Sequence, residues 1–361
     1  MIRSGLTTAA GFLVFLFGLA SSASAYRDYF SEAQKAELAN IRSVLVEALA
    51  LTDKGAGNAD GIRDVVLRRM GELGYVASSD QGAPHDVVVR VKCEQRKTWE
   101  GTASAGGDND LLDAPSRLWK GPACQVTYAL GNLKVKWQKE VRTEFEDAAQ
   151  AAHAAGASDP GAYAMSALRE ALETYEFPLL LTAEWGQPDR LLKLLDSPQT
   201  GQLRKLKVIS LLGEMVADEA LPHLTEALKD KELAKQAAVT LGNMGKESIP
   251  LLIEILRYSK QPDLQAAAAK GLGDLGNIHS DSRVVPPLLE MLDAPGIDIT
   301  VQTEIAWALG RVPDRRSVEP LFALDRKLQK IRNDPPDPQI KKLKEAVFWS
   351  IKQVYTEDQY S

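Results

Sequence analysis

LPHLTEALKDKELAKQAAVTLGNMG, residues 221–245, decides the fold, because the chain then says the same thing again: IPLLIEIL at 249–256 and AAAAKGLGDLG at 266–276 carry its two phrases. The closing phrase recurs as Leu212-Gly213, Leu241-Gly242, Leu272-Gly273 and Leu309-Gly310, at spacings of 29, 31 and 37 residues. The opening phrase keeps step with it. ALPHL from Ala220, SIPLL from Ser248, VVPPL from Val284 and SVEPL from Ser317 each set Pro near a helix start, followed by Leu or Ile at helical spacing. Two phrases in step describe a helix pair repeated along the chain.

Small residues explain why the pairs must stack. Ala237-Ala238-Val239, Ala266 to Ala269 and Ala306-Trp307-Ala308 let the second helix of each pair approach its neighbours closely, and the glycine after Leu either ends that helix or permits a close crossing. Each pair then shows an apolar face that only the next pair can cover, which predicts a curved α-solenoid of about five units with a long binding surface. The residues resemble HEAT repeats, especially the short type of the phycobilin lyases, over about 185–355, with LPHLTEAL…QAAVTLGNMG and IPLLIEIL…AAAAKGLGDLG as the most specific parts. The last unit departs from the pattern: Trp349-Ser350 stands where Leu-Gly is expected, NDPPDP at 333–338 lengthens the internal loop, and Lys341, Lys342 and Lys344 make the outer helix polar, as befits a cap. Residues 311–361 hold 11 basic and 8 acidic side chains, against 13 and 17 in 185–310, so the carboxy-terminal end is the basic one.

The amino-terminal half reads differently. Ile41 to Leu51 fits either helix or strand, with a lean to strand, and Asn58 to Gly74 is an amphipathic helix with Ile62, Val65, Val66, Met70 and Leu73 on one face. Val87, Val89, Val91 and Cys93 alternate with Val88, Arg90, Lys92 and Glu94, as in a half-buried strand. A loop over Thr102 to Pro122 is expected next. A second alternating run starts at Cys124 and returns through a two-residue Gly131-Asn132 turn into Leu133, Val135 and Trp137. An Ala-rich helical connector follows from Ala148 to Leu181, broken at Asp159-Pro160-Gly161. The whole is an α+β chain: signal 1–25, a two-layer α/β sandwich with its connector at 26–184, and the solenoid at 185–361. GELGYVAS, HDVVVRVKC and YALGNLKVKW together resemble the small α/β domain of bacterial envelope assembly lipoproteins, although the lipid-anchoring cysteine of that group is missing; envelope assembly is what the likeness implies.

The compartment follows from the first 25 residues. Arg3, the apolar run GFLVFLFGLA at 11–20 and Ala23-Ser24-Ala25 form a secretory signal cleaved after Ala25, leaving 42 basic and 49 acidic residues, a net −7. A periplasmic or secreted location is expected, with no transmembrane segment after cleavage. Net acidity argues against nucleic acid as the partner. An oxidising compartment makes a Cys93–Cys124 disulfide the reading of the two cysteines, which have neither CxxC spacing nor a histidine nearby in sequence.

The composition is that of an ordinary globular protein, 45% hydrophobic and 25% charged. Catalytic motifs do not emerge. GxSxG, HExxH, the phosphate-binding loop and the dinucleotide fingerprint do not occur in the sequence. Deoxyhypusine hydroxylase, an enzyme resembling this repeat class, holds iron through His-Glu pairs, whereas His85, His153, His223 and His279 include no His-Glu dipeptide. No cofactor and no metal are expected. The acidic stretch GDNDLLD at 107–113 reads as a loop rather than a calcium site, and Trp185, Trp307 and Trp349 as core. The expected function is non-catalytic binding of protein partners in the bacterial cell envelope, as scaffold or adapter, through Lys235, Gln236, Gln265, Lys270, Gln302 and Glu304, polar positions that interrupt otherwise apolar helices. The alternative is a HEAT-like enzyme or a maturation factor for a cofactor or metal centre.

Overall fold

The computed structural model describes residues 30–102, 116–131, 133, 135–331 and 337–358. The expected signal at 1–25 and the acidic stretch at 107–113 lie outside them. In chain order the α/β part runs α1 (Glu32–Ala39), β1 (Ser43–Thr52), β2 (Gly55–Gly57), α2 (Asp60–Glu72), β3 (Val76–Ser78), β4 (Val87–Thr102), β5 (Ser116–Ala129), β6 (Gln138–Arg142), α3 (Ala148–Ala154) and α4 (Pro160–Thr174). Ser31 and Gln34 form a reciprocal capping box at the start of α1, a helix the apolar pattern does not announce.

The ambiguous run from Ile41 is strand β1, and its burial explains why: it lies inside the sheet order β2-β1-β4-β5-β6, with β3 also on β1. β1 and β4 are parallel, Val44 facing Val87 through to Leu51 facing Glu94, with helix α2 between them in sequence. Val44, Val46 and Ala50, with Val87, Val89, Val91 and Cys93, and with Cys124, Val126 and Tyr128, form one buried face, on which α2 and α4 lie. The other face carries ion pairs such as Arg90 to Glu47 at 2.7 Å and Lys97 to Glu140 at 2.9 Å. Cys93 and Cys124 are directly opposed in the β4/β5 ladder, fully buried and joined as a disulfide.

Two expectations for this half need correction. The loop predicted over Thr102 to Pro122 is strand at both of its described ends: past a register shift between Glu94 and Lys97, residues 97–102 pair with 116–121 as a two-stranded ribbon, and 103–115 lie outside the described residues. The ladder's hydrogen bonds outweigh the glycines that read as loop. The turn after Leu130 is tight, with Gly131 at φ 53° and a bridge from Leu130 to Leu133, but the return strand does not start there. The ladder resumes at Gln138 opposite Thr127, and the intervening chain swings Trp137 into the core against Tyr128, ring centroids 5.8 Å apart.

α5 (Phe177–Glu184) opens the helical half, followed by five helix pairs: α6 (Pro188–Asp196) with α7 (Gln202–Glu214), α8 (Leu221–Ala227) with α9 (Ala234–Leu241), α10 (Ile249–Tyr258) with α11 (Pro262–His279), α12 (Val285–Leu292) with α13 (Ile299–Arg311), and α14 (Val318–Gln329) with α15 (Pro338–Asp358). The change from sheet to repeats is a buried seam. Trp185 is 1% exposed and meets the rings of Tyr75 and Tyr128 edge-on, at 5.3 and 5.7 Å. The Tyr75 hydroxyl lies 3.0 Å from Thr182 Oγ1 and 3.1 Å from Gln187 Oε1, and burial pushes that phenol up to about 12. Gln187 Nε2 donates to the carbonyls of Leu38 and Ile41 at 2.9 and 3.0 Å, and Arg190 stacks on Tyr75 while donating to Leu73 O at 2.7 Å. The polar groups of Tyr75, Gln187 and Arg190 meet partners across the seam, the condition under which burial of polar atoms is tolerated, while the Trp185 indole nitrogen is buried without a hydrogen bond among the described residues.

Close crossing is the task the Leu-Gly glycines share; none of them has positive φ, although α9 ends at Leu241 with Gly242 as its C-cap. A Cβ on Gly213 would fall 2.8 Å from Thr240, on Gly242 against the Gly271 backbone, on Gly273 2.7 Å from Ala308, and on Gly310 against the Trp349 ring and 2.5 Å from Ser350. In the first three cases the residue received is the one just before the next unit's Leu. Ser350 therefore precedes the Leu equivalent, and the last unit aligns on Ile351-Lys352, two residues beyond the expected Trp349-Ser350. Two hydroxyls confirm the alignment: Thr240 Oγ1 donates to Ile209 O at 3.3 Å and Ser350 Oγ to Ala306 O at 2.6 Å, each acceptor lying three residues before its unit's Leu. Lys352 thus stands where the other units have glycine. The lysines 341, 342 and 344 lie on α15, the second helix of its pair, and not on an outer one.

Two stability measurements follow from these contacts. In urea titrations Gly242→Ala should lose about 2–3 kcal/mol by overpacking, whereas Gly71→Ala, at a helical site with nothing within 4 Å of the new Cβ, should gain about 0.5–1 kcal/mol. Replacing Cys93 and Cys124 together by Ala should cost about 3 kcal/mol by releasing the unfolded chain from its cross-link.

Candidate functional site

The second helices α7, α9, α11, α13 and α15 lie side by side, and the positions that neither stack nor face their first helices form a continuous strip. Glu304, Trp307 and Arg311 occupy i, i+3 and i+7 of α13 and so share one face, while Lys270 and Asp274 occupy i and i+4 of α11. Arg311 Nε lies 3.7 Å from Asp274 Oδ1, and its Nη1 is buried without a hydrogen bond. On the far side of Glu304 the strip turns aromatic: Trp307 and Trp349 are half-buried, their ring centroids 5.1 Å apart and their planes 51° from parallel.

Burial shapes the charges here. It raises the Glu304 carboxyl above its ordinary range, and Arg311 and Lys270 offset only part of the effect, while Asp274 adds to it. Asp274 is raised for the same reason against the pull of Arg311 and Lys270. Neither carboxylate is fully compensated by the cations beside it. Such a group would be stabilised in its charged form by a further donor or cation brought to it.

The six residues expected to form a binding face part company. Lys270 and Glu304 lie in this strip. Lys235 stands at its edge, 3.9 Å from Asp263 Oδ2, and Gln236 is half-buried beside it on α9. Gln265 and Gln302 serve the repeat itself: each sits seven residues before its unit's Leu, and each side-chain amide donates to the last turn of the preceding helix, to Leu256 O at 2.9 Å and Leu292 O at 3.0 Å. Asp274, Trp307, Arg311 and Trp349 were not among the expected residues. Their signal was present as the Glu304, Trp307, Arg311 spacing, masked by reading Trp185, Trp307 and Trp349 alike as core. Only Trp185 of the three is fully buried. Among the described residues, no three His, Cys, Asp or Glu side chains gather to hold a metal ion, and no helix is long and apolar enough to cross a membrane.

Residues 188–273 and 249–334 each match the family model of HEAT repeats, so the carboxy-terminal half is a HEAT array. The family match begins at residue 188 and does not extend to the amino-terminal half. Human deoxyhypusine hydroxylase in complex with glycerol is one solved structure similar to this chain, at 16% identity over 55% of this chain and 86% of that one, with a TM-score of 0.26. No curated protein matches.

The raised Glu304 carboxyl makes a pH prediction. A carboxyl whose folded value lies above its unfolded value withdraws stability as pH rises from the ordinary carboxylate range through the raised value. Glu304→Gln should therefore be more stable than wild type at pH 7 in urea titrations. The gap should close as pH falls below the ordinary glutamate value of 4.5.

Proposed function

We propose that this chain, whose carboxy-terminal half is an array of HEAT repeats, is an exported, non-catalytic protein-binding scaffold or adapter of the bacterial cell envelope. The observation that carries the reading is the strip on the second helices. Arg and Trp are the side chains that most often anchor protein interfaces, and here Arg311, Trp307 and Trp349 stand half-exposed next to an under-compensated carboxylate on rigid, stacked helices. Binding energy is best drawn from groups whose positions are already fixed, and the glycine contacts between units fix these. Two features support export: the signal-like first 25 residues and a buried disulfide, a bond that persists in oxidising compartments. The α/β domain, locked to the first repeats through Trp185, would offer a second contact at a set angle to the first.

A photo-crosslinking residue placed at position 270 in the full-length protein, in living cells, tests the proposal against the same residue at Glu254, exposed on α10. Position 270 should yield one discrete protein adduct, recovered with the envelope fraction on a chain starting at Tyr26, and position 254 should not. Equal adducts at both positions, none at 270, or an uncleaved cytoplasmic chain would contradict it.

A further inference from the structure

The strip on the second helices is uneven across its width. The charges that act most on Glu304 are Arg311 on its own helix and Lys270, Asp274 and Lys235 on the α9 and α11 side. Arg311 already faces Asp274 at 3.7 Å, and Lys235 faces Asp263 at 3.9 Å. Lys270 is exposed and acts on Glu304 and Asp274 alike, without an ion pair to either among the described residues. Glu304 itself is half-buried, accepts no hydrogen bond and makes no ion pair among the described residues. On the α15 side of Glu304 the strip is aromatic, with Trp307 three residues along the same helix and the Trp349 ring centroid 5.1 Å from that of Trp307.

Charge and burial together select what this surface recognises. An acidic side chain would find two cations that already face carboxylates and one exposed lysine, and pairing an exposed lysine contributes little. An apolar side chain would cover the rings but deepen the burial that already disfavours the Glu304 charge. A basic side chain is favoured twice: its cation is attracted to the faces of the tryptophan rings, and it meets a carboxylate that the fold has already taken partly out of water. We propose that the partner held on the strip presents a basic side chain, Lys or Arg, that enters from the α15 side, lies against the Trp307 and Trp349 rings and places its cation at the Glu304 carboxylate. The inference rests on the strip being a protein-binding face and adds what that face recognises. Entry from the α15 side keeps the incoming cation apart from Lys270 and Lys235, and Arg311 keeps its place beside Asp274.

The test reads the protein adduct formed by the photo-crosslinking residue at position 270 of the full-length chain, in the cells that produce it, and sequences the crosslinked segment by mass spectrometry. Glu304→Gln should lower the adduct yield about tenfold and Trp307→Leu about threefold. Because Glu304→Gln is expected to stabilise the chain at pH 7, urea titration of the same variant separates lost recognition from lost folding. Glu304→Lys should abolish the adduct, and exchanging one Lys or Arg of the crosslinked segment for Glu should restore it. An adduct whose yield is indifferent to Glu304→Gln and Trp307→Leu, one that strengthens in Glu304→Gln, or one that no such charge exchange restores would overturn the inference and leave the binding face standing. Absence of any adduct at position 270 in the otherwise unchanged chain would remove the face and the inference together.

Discussion

A glycine seated against the neighbouring helix is the contact on which the repeat half depends. Gly213, Gly242, Gly273 and Gly310 lack the atom that would collide with Thr240, Gly271, Ala308 and Ser350, so Gly242 and Gly273 pack against the backbone of the next second helix and Gly213 and Gly310 against side chains it presents. At that distance interiors tolerate little change in volume. Close packing then sets the rest: the apolar rows must interlock, the polar remainder of each second helix is left on one strip, and the strip inherits the rigidity of the stack. The Thr240 and Ser350 hydroxyls, each donating to a carbonyl of the preceding helix, reinforce the same contact where a small polar residue fills the seat.

The first and fifth units depart from the pattern of the others. At the beginning Trp185, gripped by Tyr75 and Tyr128, roots the first helices in the α/β domain, and Gln187 and Arg190 satisfy the carbonyls that this burial strands. An ion network of Arg68, Arg69 and Arg204 with Glu72, Glu173 and Glu176 continues the join along α2, α4 and α7; Arg69 is nearly buried, and its 2.8 Å contact with Glu176 keeps that charge paired. In the fifth unit Lys352 stands where the other units have the seating glycine. The first unit is thus fused to a folded domain, and residues 311–361 are net basic.

Much of this was legible in the residues. The Leu-Gly and Pro-led phrases reveal the helix pairs because stacking demands small residues at fixed places, and that demand is written in composition. The strands from Val87 and Cys124 and the disulfide between them were readable by alternation and by compartment. The sequence could not show where tertiary contacts override local signals: residues 97–102 and 116–121 pair despite Gly101, Gly121 and Pro122, and Trp137 pulls its strand out of step to reach Tyr128. The last unit misled for a related reason. Once glycine is replaced by lysine the phrase disappears, and only the Ser350 contact restores the alignment. In the candidate site, Lys270 and Glu304 stood out as polar residues in apolar helices, but Gln265 and Gln302 stood out equally and turn out to tie helix ends. Half-burial of Trp307 depends on how large its neighbours on adjacent helices are, which no single helix encodes.

Native mass spectrometry of the full chain, released gently from the envelope of the cells that make it, tests the central claim most directly, because one spectrum reports the chain's own mass, any small adduct and any bound polypeptide. The scaffold account predicts a chain lacking its first 25 residues, carrying no metal or pigment in stoichiometric amount, and bound to at least one other protein. A full-length chain, or one found alone with a stoichiometric metal or small molecule, would contradict it.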